Sequence, residues 1–439
     1  MKKMKKHVSV QGLLNRVRSQ FEKIKEVATG RPRTSVSDCL MSGLAMFMLK
    51  MPSLLQFDKR SSEEPIKGNI ERLYGVKHVP SDTYLRERLD EVVPSSLRTS
   101  FTRIFSALQR HKVLERYDYY NGHYLVSLDG TGCFSSHEIH CESCCVKNHK
   151  DGSKTYYHQM LAAVLVHPDE KTVIPLCPEP ILKQDGSKKN DCELNASKRL
   201  LSSMRKEHPH LKMIIVEDSL YGKAPHINLL KELDMRYIIG VKPDDHKYLF
   251  EFVNAVKTDE KEITDSKGTR KKYRWKNKLP LNDSNPDCLV NFLEYTEISA
   301  KGSIKQFTWV TDIPLNEKTI YLVMKGGRAR WKIENETFNT LKNLGYHFEH
   351  NFGHGYKYLS TVMAILMFLA FLIDQAQETC CEYFQRALKK AGAKRELWEA
   401  MRSIFGIFRL SSWEIFYRLT AREYGEGLDP TDYLKVNTS

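Results

Sequence analysis

The chain has 439 residues, enough for two or three domains with sizeable cores, and its 68 Lys and Arg against 54 Asp and Glu give a formal charge of +14 and a pI near 9.1. Cations spread along most of the sequence point to a polyanionic partner. Ten cysteines, unevenly spaced and with adjacent pairs at Cys144-Cys145 and Cys380-Cys381, argue against a disulfide framework and for a reducing, intracellular setting. The lysine-rich start leads into no apolar segment with a cleavage site, so no signal peptide is read there. The longest apolar run, Val362 to Ile373, falls short of a span of about 20 residues and predicts a buried helix rather than a membrane crossing.

In chain order, Leu13, Leu14, Val17, Phe21 and Ile24 recur at helical spacing, with Arg16, Arg18, Lys23 and Lys25 on the other face. This basic amphipathic helix suits either phosphate binding or an ordinary first helix with a solvated side. After Gly30-Arg31-Pro32-Arg33, the apolar run Leu40 to Leu49 predicts a core helix capped by Ser35 or Ser37. Ile66 to Tyr74, a turn at Gly75 to Pro80, and a helix from Ser81 carrying Arg86 and Arg88 make a weak helix-turn-helix signal. Residues 1–115 thus read as an all-helical domain able to bind DNA.

From Tyr124 the hydrophobic period changes. Short strands are predicted at Tyr124 to Gly130, Gly132 to His137, Tyr156 to His167, Lys212 to Asp218 and Tyr237 to Val241, with helices at Asn195 to His208 and Lys223 to Leu233. This describes a mixed α/β sheet with helices against it over residues 116–243. Residues 244–324 turn polar and read as a β-rich insertion, with strands at Leu289 to Glu297 and Gln306 to Thr311. Residues 325–378 complete the core, and residues 379–439 form a helical C-terminal region.

The stretch Arg328 to Lys342 predicts one helix, preceded by Gly326-Gly327, with Trp331, Ile333, Phe338 and Leu341 on its apolar side. Trp331 reads as core packing rather than as a stacking platform for a DNA base. Arg330 and Glu334 lie one turn apart, and Lys342 returns to within about 80° of Glu334 at 100° per residue. Alone, this is an ordinary solvated ion pair. Two aspartates, Asp129 before Gly130 and Asp218 before Ser219, end apolar strands at the rim where α/β sheets place ligands. Either alone is as often a turn former. Three clustered carboxylates repel one another unless divalent cations intervene, and hard oxygen ligands suit Mg²⁺ or Mn²⁺, of which two ions about 3.5–4 Å apart can drive phosphodiester chemistry.

The order Leu-Asp129-Gly-Thr, Val-Glu-Asp218-Ser-Leu-Tyr-Gly and Arg-Trp-Lys-Ile-Glu334, followed by Leu-Lys342, resembles the DDE transposases of bacterial insertion sequences. The closest likeness is to the branch with an RNase H-like core and a β-rich insertion before the glutamate. The resemblance covers about Tyr124 to Gly355. It implies that Asp129, Asp218 and Glu334 hold two metal ions, that Arg330 and Lys342 contact DNA phosphates, and that a homodimer assembles on DNA in a bacterial cytoplasm, at the nucleoid. Two positions depart from the pattern: Gly327 stands where the family has tyrosine, and Lys342 comes eight rather than seven residues after Glu334. Glu336 is the alternative third carboxylate, and Glu334 is preferred because an arginine stands four residues before it.

A second constellation is Cys141-x-x-Cys144, with His137, His140 and His149 nearby. The spacing is that of zinc ligands, but a second clean pair is missing, and cysteines that merely pack or lie exposed are the favoured reading over a zinc site at His137, Cys141, Cys144 and His149. His347, His350 and His354 read as surface.

Overall fold

The computed structural model describes residues 6–26, 32–183, 192–423 and 429–434. Six helices come first: α1 (Val10–Phe21), α2 (Val36–Met48), α3 (Leu54–Ser61), α4 (Ile66–Tyr74), α5 (Asp82–Asp90) and α6 (Arg98–Arg110). Serine side chains cap α1, α2 and α3, each accepting a hydrogen bond from a backbone N–H of the first turn. Every residue of α2 is buried, as its unbroken apolar run demands.

The strands are β1 (Asp118–Tyr120), β2 (His123–Ser136), β3 (Cys145–Asn148), β4 (Lys154–Val166), β5 (Ile174–Pro175) and β6 (Glu179–Ile181). Beyond α7 (Glu193–Glu207) come β7 (Met213–Glu217), α8 (Ala224–Glu232), β8 (Arg236–Gly240) and α9 (Lys247–Ala255). Strands β9 (Asp259–Thr264), β10 (Arg270–Asn282), β11 (Asn285–Ile298) and β12 (Ile304–Thr311) follow. They form one mixed sheet in the order β3-β4-β2-β7-β8-β12-β11-β10-β9, with β1, β5 and β6 along its side. β2, β7 and β8 run parallel, whereas β4 and β12 flank them antiparallel. Crossover helices α7 and α8 make the parallel pairings possible.

The polar segment after residue 243 is therefore continuous with the core sheet: Trp309, Val310 and Thr311 of β12 pair with Gly240, Ile239 and Ile238 of β8. The two strands predicted separately at Tyr124 to Gly130 and Gly132 to His137 are one, β2, bent by a register shift between Gly132 and Phe134.

Helices α10 (Thr319–Ala329), α11 (Asn339–Asn343), α12 (Leu359–Cys380), α13 (Glu382–Ala391), α14 (Lys394–Ile407) and α15 (Trp413–Thr420) complete the chain. α12 is long and apolar enough to cross a membrane, but 94% of its apolar window is buried inside the protein. It packs against α1, α2, α5, α6 and α13 and against β2 and β5, so the N-terminal and C-terminal helices meet around it in one continuous core. The Asn69 side-chain amide donates to the carbonyls of Phe405 and Phe408, and Arg72 to that of Leu410, so the two ends of the chain are locked by buried polar bonds. Where Lys50 reaches the same core it is wholly buried, pairs with Asp374 at 2.6 Å, and lies over the rings of Tyr346 and Trp398.

Candidate functional site

In β2 the residues at alternate positions share a face. Ser127 and Asp129 are such a pair, and both hold Arg330: Ser127 Oγ donates to the Arg330 carbonyl at 3.1 Å, and the Arg330 guanidinium donates to Asp129 Oδ2 at 3.1 Å. The other arm of that guanidinium donates to Glu334 Oε1 at 2.8 Å. One cation thus bridges two carboxylates far apart in sequence. Glu334, and not Glu336, is the acid in this bridge. Asp218 follows the last residue of β7, and since Ser127 pairs in parallel with Val216, continuing both strands by two residues sets Asp129 beside Asp218.

Burial pushes the Asp129 carboxyl up to about 6; Arg330 opposes that rise, while the charges of Glu334 and Asp218 add to it. Glu334 and Asp218 thus both act on Asp129. Their oxygens do not close into a tight cluster, because the guanidinium stands between Asp129 and Glu334 and supplies the counter-charge.

The helix carrying Glu334 differs from the expected one. It begins at Thr319, so Gly326 and Gly327 lie inside α10 rather than before it. Both are close-approach glycines: a Cβ on Gly327 would meet Trp309 Nε1 at 2.4 Å, and one on Gly326 would meet Ile238 Cδ1 at 2.9 Å. The backbone lies directly on the sheet there, which accounts for glycine at position 327. The helix is then irregular at Arg330 and Trp331 and continues as a π turn over Ile333–Phe338, in which the Asn339 N–H donates to the Glu334 carbonyl five residues back. A π turn holds one residue more than an α turn, and such insertions recur at functional sites. That extra residue gives a physical reason for the eight-residue spacing from Glu334 to Lys342.

Trp331 corrects the core-packing expectation. It is 50% exposed, with the Arg330 guanidinium 5.4 Å from its ring centroid. The irregular turn rotates it off the apolar face. A cleft beside the acids is lined by Asp218, Lys242, Phe307, Trp309, Arg330 and Trp331, a mixture of aromatic surface and positive charge.

A carboxylate that the sequence gave no reason to single out lies against the other face of β2, near Asp218. Glu193 opens α7; a Cβ on Gly130 would lie 2.4 Å from Glu193 Oε1, and Glu193 Oε2 accepts from Tyr221 at 3.3 Å. Burial raises its carboxyl, Tyr221 opposes this, and Asp218 adds to the rise. No spacing motif marks it, because its place depends on where α7 crosses the sheet.

The other expected DNA contacts divide. Lys342 lies in α11 and pairs with Glu349 at 2.8 Å, away from the Arg330 bridge. Arg86 is on the open side of α5, paired with Asp82 at 2.7 Å. Arg88 is 8% exposed and ion-paired with Glu26 in the seam between α5 and the first helices, so it is unavailable to DNA. Packing α5 against α2 and α12 turns that face inward and leaves Thr83, Arg86 and Glu87 outside.

The cysteine motif gathers different histidines from those expected. Cys141, Cys144, His158 and His354 place one ligand atom each within 4.8 Å of all the others, a group able to hold a metal ion. His137 and His149 lie outside it, with His137 Nδ1 on the Lys154 carbonyl and His149 Nε2 on the Thr155 hydroxyl. His354, expected at the surface, is 7% exposed. The hydrogen bond from Cys144, with those from His158 and His354, holds the Cys141 thiol well below its ordinary value. Comparison with protein-family models and with curated protein sequences finds no match for this chain.

Proposed function

We propose that this chain is a DNA transposase of the DDE type, built on an RNase H-like core. The observation that carries the reading is the Arg330 bridge from Asp129 in β2 to Glu334 on the π turn, with Asp218 just past the end of the adjoining strand. The donor chemistry fits: Asp129, Asp218 and Glu334 are hard oxygen ligands suited to one or two Mg²⁺ or Mn²⁺ ions. When bound, such ions supply activation of the attacking oxygen and stabilisation of the leaving one.

The chain's own residues do the positioning. Were the acids to hold a dication, Arg330 would be released from them and would be placed to meet a phosphate oxygen with its planar fork. Trp331 offers a half-exposed face for an unpaired base, and Lys242 lies exposed in the same cleft. The net charge of +14 favours DNA along the wider surface. A homodimer on paired DNA ends follows from the same resemblance.

The test is incubation of the protein with end-bearing DNA, a target plasmid and Mg²⁺. A transposase gives joined products, Glu334→Gln abolishes them, and Glu336→Gln keeps them. Cleavage without joining makes the protein a nuclease. Full joining by Glu334→Gln refutes the assignment of the third acid.

A further inference from the structure

We infer that Cys141, Cys144, His158 and His354 form a closed structural zinc site that pins the hairpin leaving the Asp129 strand to the loop that follows the Glu334 helix. The inference is independent of the transposase reading.

Geometry carries it. Zinc at about 2.3 Å from sulfur and about 2.0–2.1 Å from nitrogen sets tetrahedral edges of about 3.8 Å between sulfurs, about 3.6 Å from sulfur to nitrogen and about 3.4 Å between nitrogens. The structure has Cys141 Sγ to Cys144 Sγ at 3.8 Å, Cys141 Sγ to His158 Nε2 at 3.6 Å, and Cys144 Sγ to His158 Nε2 at 3.1 Å. Cys144 Sγ to His354 Nε2 is 3.3 Å, and the two Nε2 atoms are 3.2 Å apart. Five edges of one tetrahedron are therefore present within about half an ångström. The sulfurs stand too far apart for a disulfide, whose bond is about 2.05 Å. The span of the group leaves room for a single ion and none for a two-iron cluster.

The surroundings agree. His354 Nδ1 donates to the Gly355 carbonyl at 2.9 Å, which fixes the tautomer whose Nε2 lone pair faces the sulfurs, the usual arrangement for a ligating histidine. The Cys141 N–H points at Cys144 Sγ at 3.4 Å, and the Cys144 N–H donates to the Cys141 carbonyl, so the Cys-x-x-Cys turn is wrapped around its own sulfur. Two facing imidazole nitrogens and two sulfurs concentrate lone pairs, and a cation at their centre converts that repulsion into four bonds. Cys144, His158 and His354 are buried, and four protein ligands leave no position for a substrate, so the role is structural. Tetrahedral S₂N₂ suits zinc rather than copper(II) or magnesium.

The position gives the site its consequence. Cys141 and Cys144 lie between β2 and β3, and His158 lies in β4 opposite Phe134 of β2. His354 comes from the segment between α11 and α12. The next residues, Tyr356 to Leu359, donate four backbone N–H groups to Asp90 at the end of α5. The ion thus joins three segments of the core at one point and abuts the helix that carries Arg86.

Metal analysis of full-length protein purified under reducing conditions tests this. One zinc per chain is expected, with chelation lowering the thermal midpoint and one equivalent of Zn²⁺ restoring it. His354→Ala should cut zinc occupancy at least about tenfold, while His137→Ala and His149→Ala keep one zinc per chain. Should His354→Ala fail to fold, Co²⁺ exchanged into the wild-type protein decides, since a tetrahedral S₂N₂ site gives intense visible absorption with a thiolate-to-metal band. Protein without stoichiometric zinc, zinc lost through His137 or His149, or an octahedral cobalt spectrum would each overturn the inference.

Discussion

Replacing Arg330 with methionine keeps the volume of the side chain and removes its charge, leaving Asp129 and Glu334 to face each other. Asp129 already titrates near 6 with the guanidinium in place, against an ordinary value of about 4, so its folded-state pKa is raised. A raised acid contributes stability that is present at low pH and lost as pH rises through the folded value. At pH 7.5 the protonated carboxyl lies only about 2 kcal/mol above the ionised one, from about 1.5 pH units at 1.36 kcal/mol each. The variant can escape the repulsion by taking a proton, which caps the Asp129 share of the damage near that figure. The Glu334 share is that of a partly exposed pair, about 0.5 kcal/mol after solvent screening, because its side chain is 38% exposed. Arg330→Met should therefore cost about 2.5 kcal/mol at pH 7.5 and less than about 1 kcal/mol at pH 5, where Asp129 is largely protonated in both proteins. Mn²⁺ should reverse the order, stabilising the variant more than the wild type, because the guanidinium no longer competes for the two acids. Urea denaturation at both pH values, with and without Mn²⁺, measures all of this. An equal loss at pH 5 and pH 7.5, together with equal stabilisation by Mn²⁺, would refute the coupling of Arg330 to Asp129.

Two further outcomes follow from packing and burial. Gly327→Ala drives a methyl group into the indole of Trp309, which is buried and stacked on Phe307 with centroids 5.7 Å apart; it should destabilise the fold by about 1–3 kcal/mol despite alanine's better helix propensity, and a more stable variant by urea denaturation would contradict the close approach. His208 is buried beside Phe105, and burial, with Arg98 and Arg205 adding to it, lowers its pKa to about 4. A depressed histidine stabilises the fold above the unfolded value near 6.5, and that contribution, about 3 kcal/mol at most, is lost as pH falls from about 6.5 to about 4. His208→Leu should flatten the stability profile across that window, and an unchanged profile in the variant would refute the assignment.

Much of the core could be read from the chain because its signals are local. The apolar runs of β4, β7, β8 and α12 are long and continuous, and burial follows directly from them. Asp218 follows the last residue of β7, as strand periodicity suggested, whereas Asp129 lies inside the longer β2 and not at its end, because the predicted break at Thr131 is paired through with β4. What stayed hidden depends on contacts between distant segments. β9 and β10 carry so many lysines, arginines and acids that they read as irregular; pairing with neighbours, rather than apolar alternation, makes them strands. Gly326 and Gly327 were placed before the helix rather than inside it because nothing in the sequence shows Trp309 and Ile238 lying against them. The same holds for the metal ligands. Cys141 and Cys144 announce themselves by spacing, whereas His158 lies in a strand and His354 in a loop more than two hundred residues from the cysteines. Arg88 was misread because α5 has two faces, and only packing against α2 and α12 shows which one is inside.

The central claim is that Asp129, Asp218 and Glu334 bind divalent cations as one unit, and counting Mn²⁺ by titration calorimetry on zinc-loaded protein tests it most directly. The account predicts saturable binding of one or two Mn²⁺ per chain that is strongly weakened in Asp129→Asn, Asp218→Asn and Glu334→Gln alike, and unchanged in Glu336→Gln. Binding that survives all three substitutions, or that none of the four proteins shows, would contradict it.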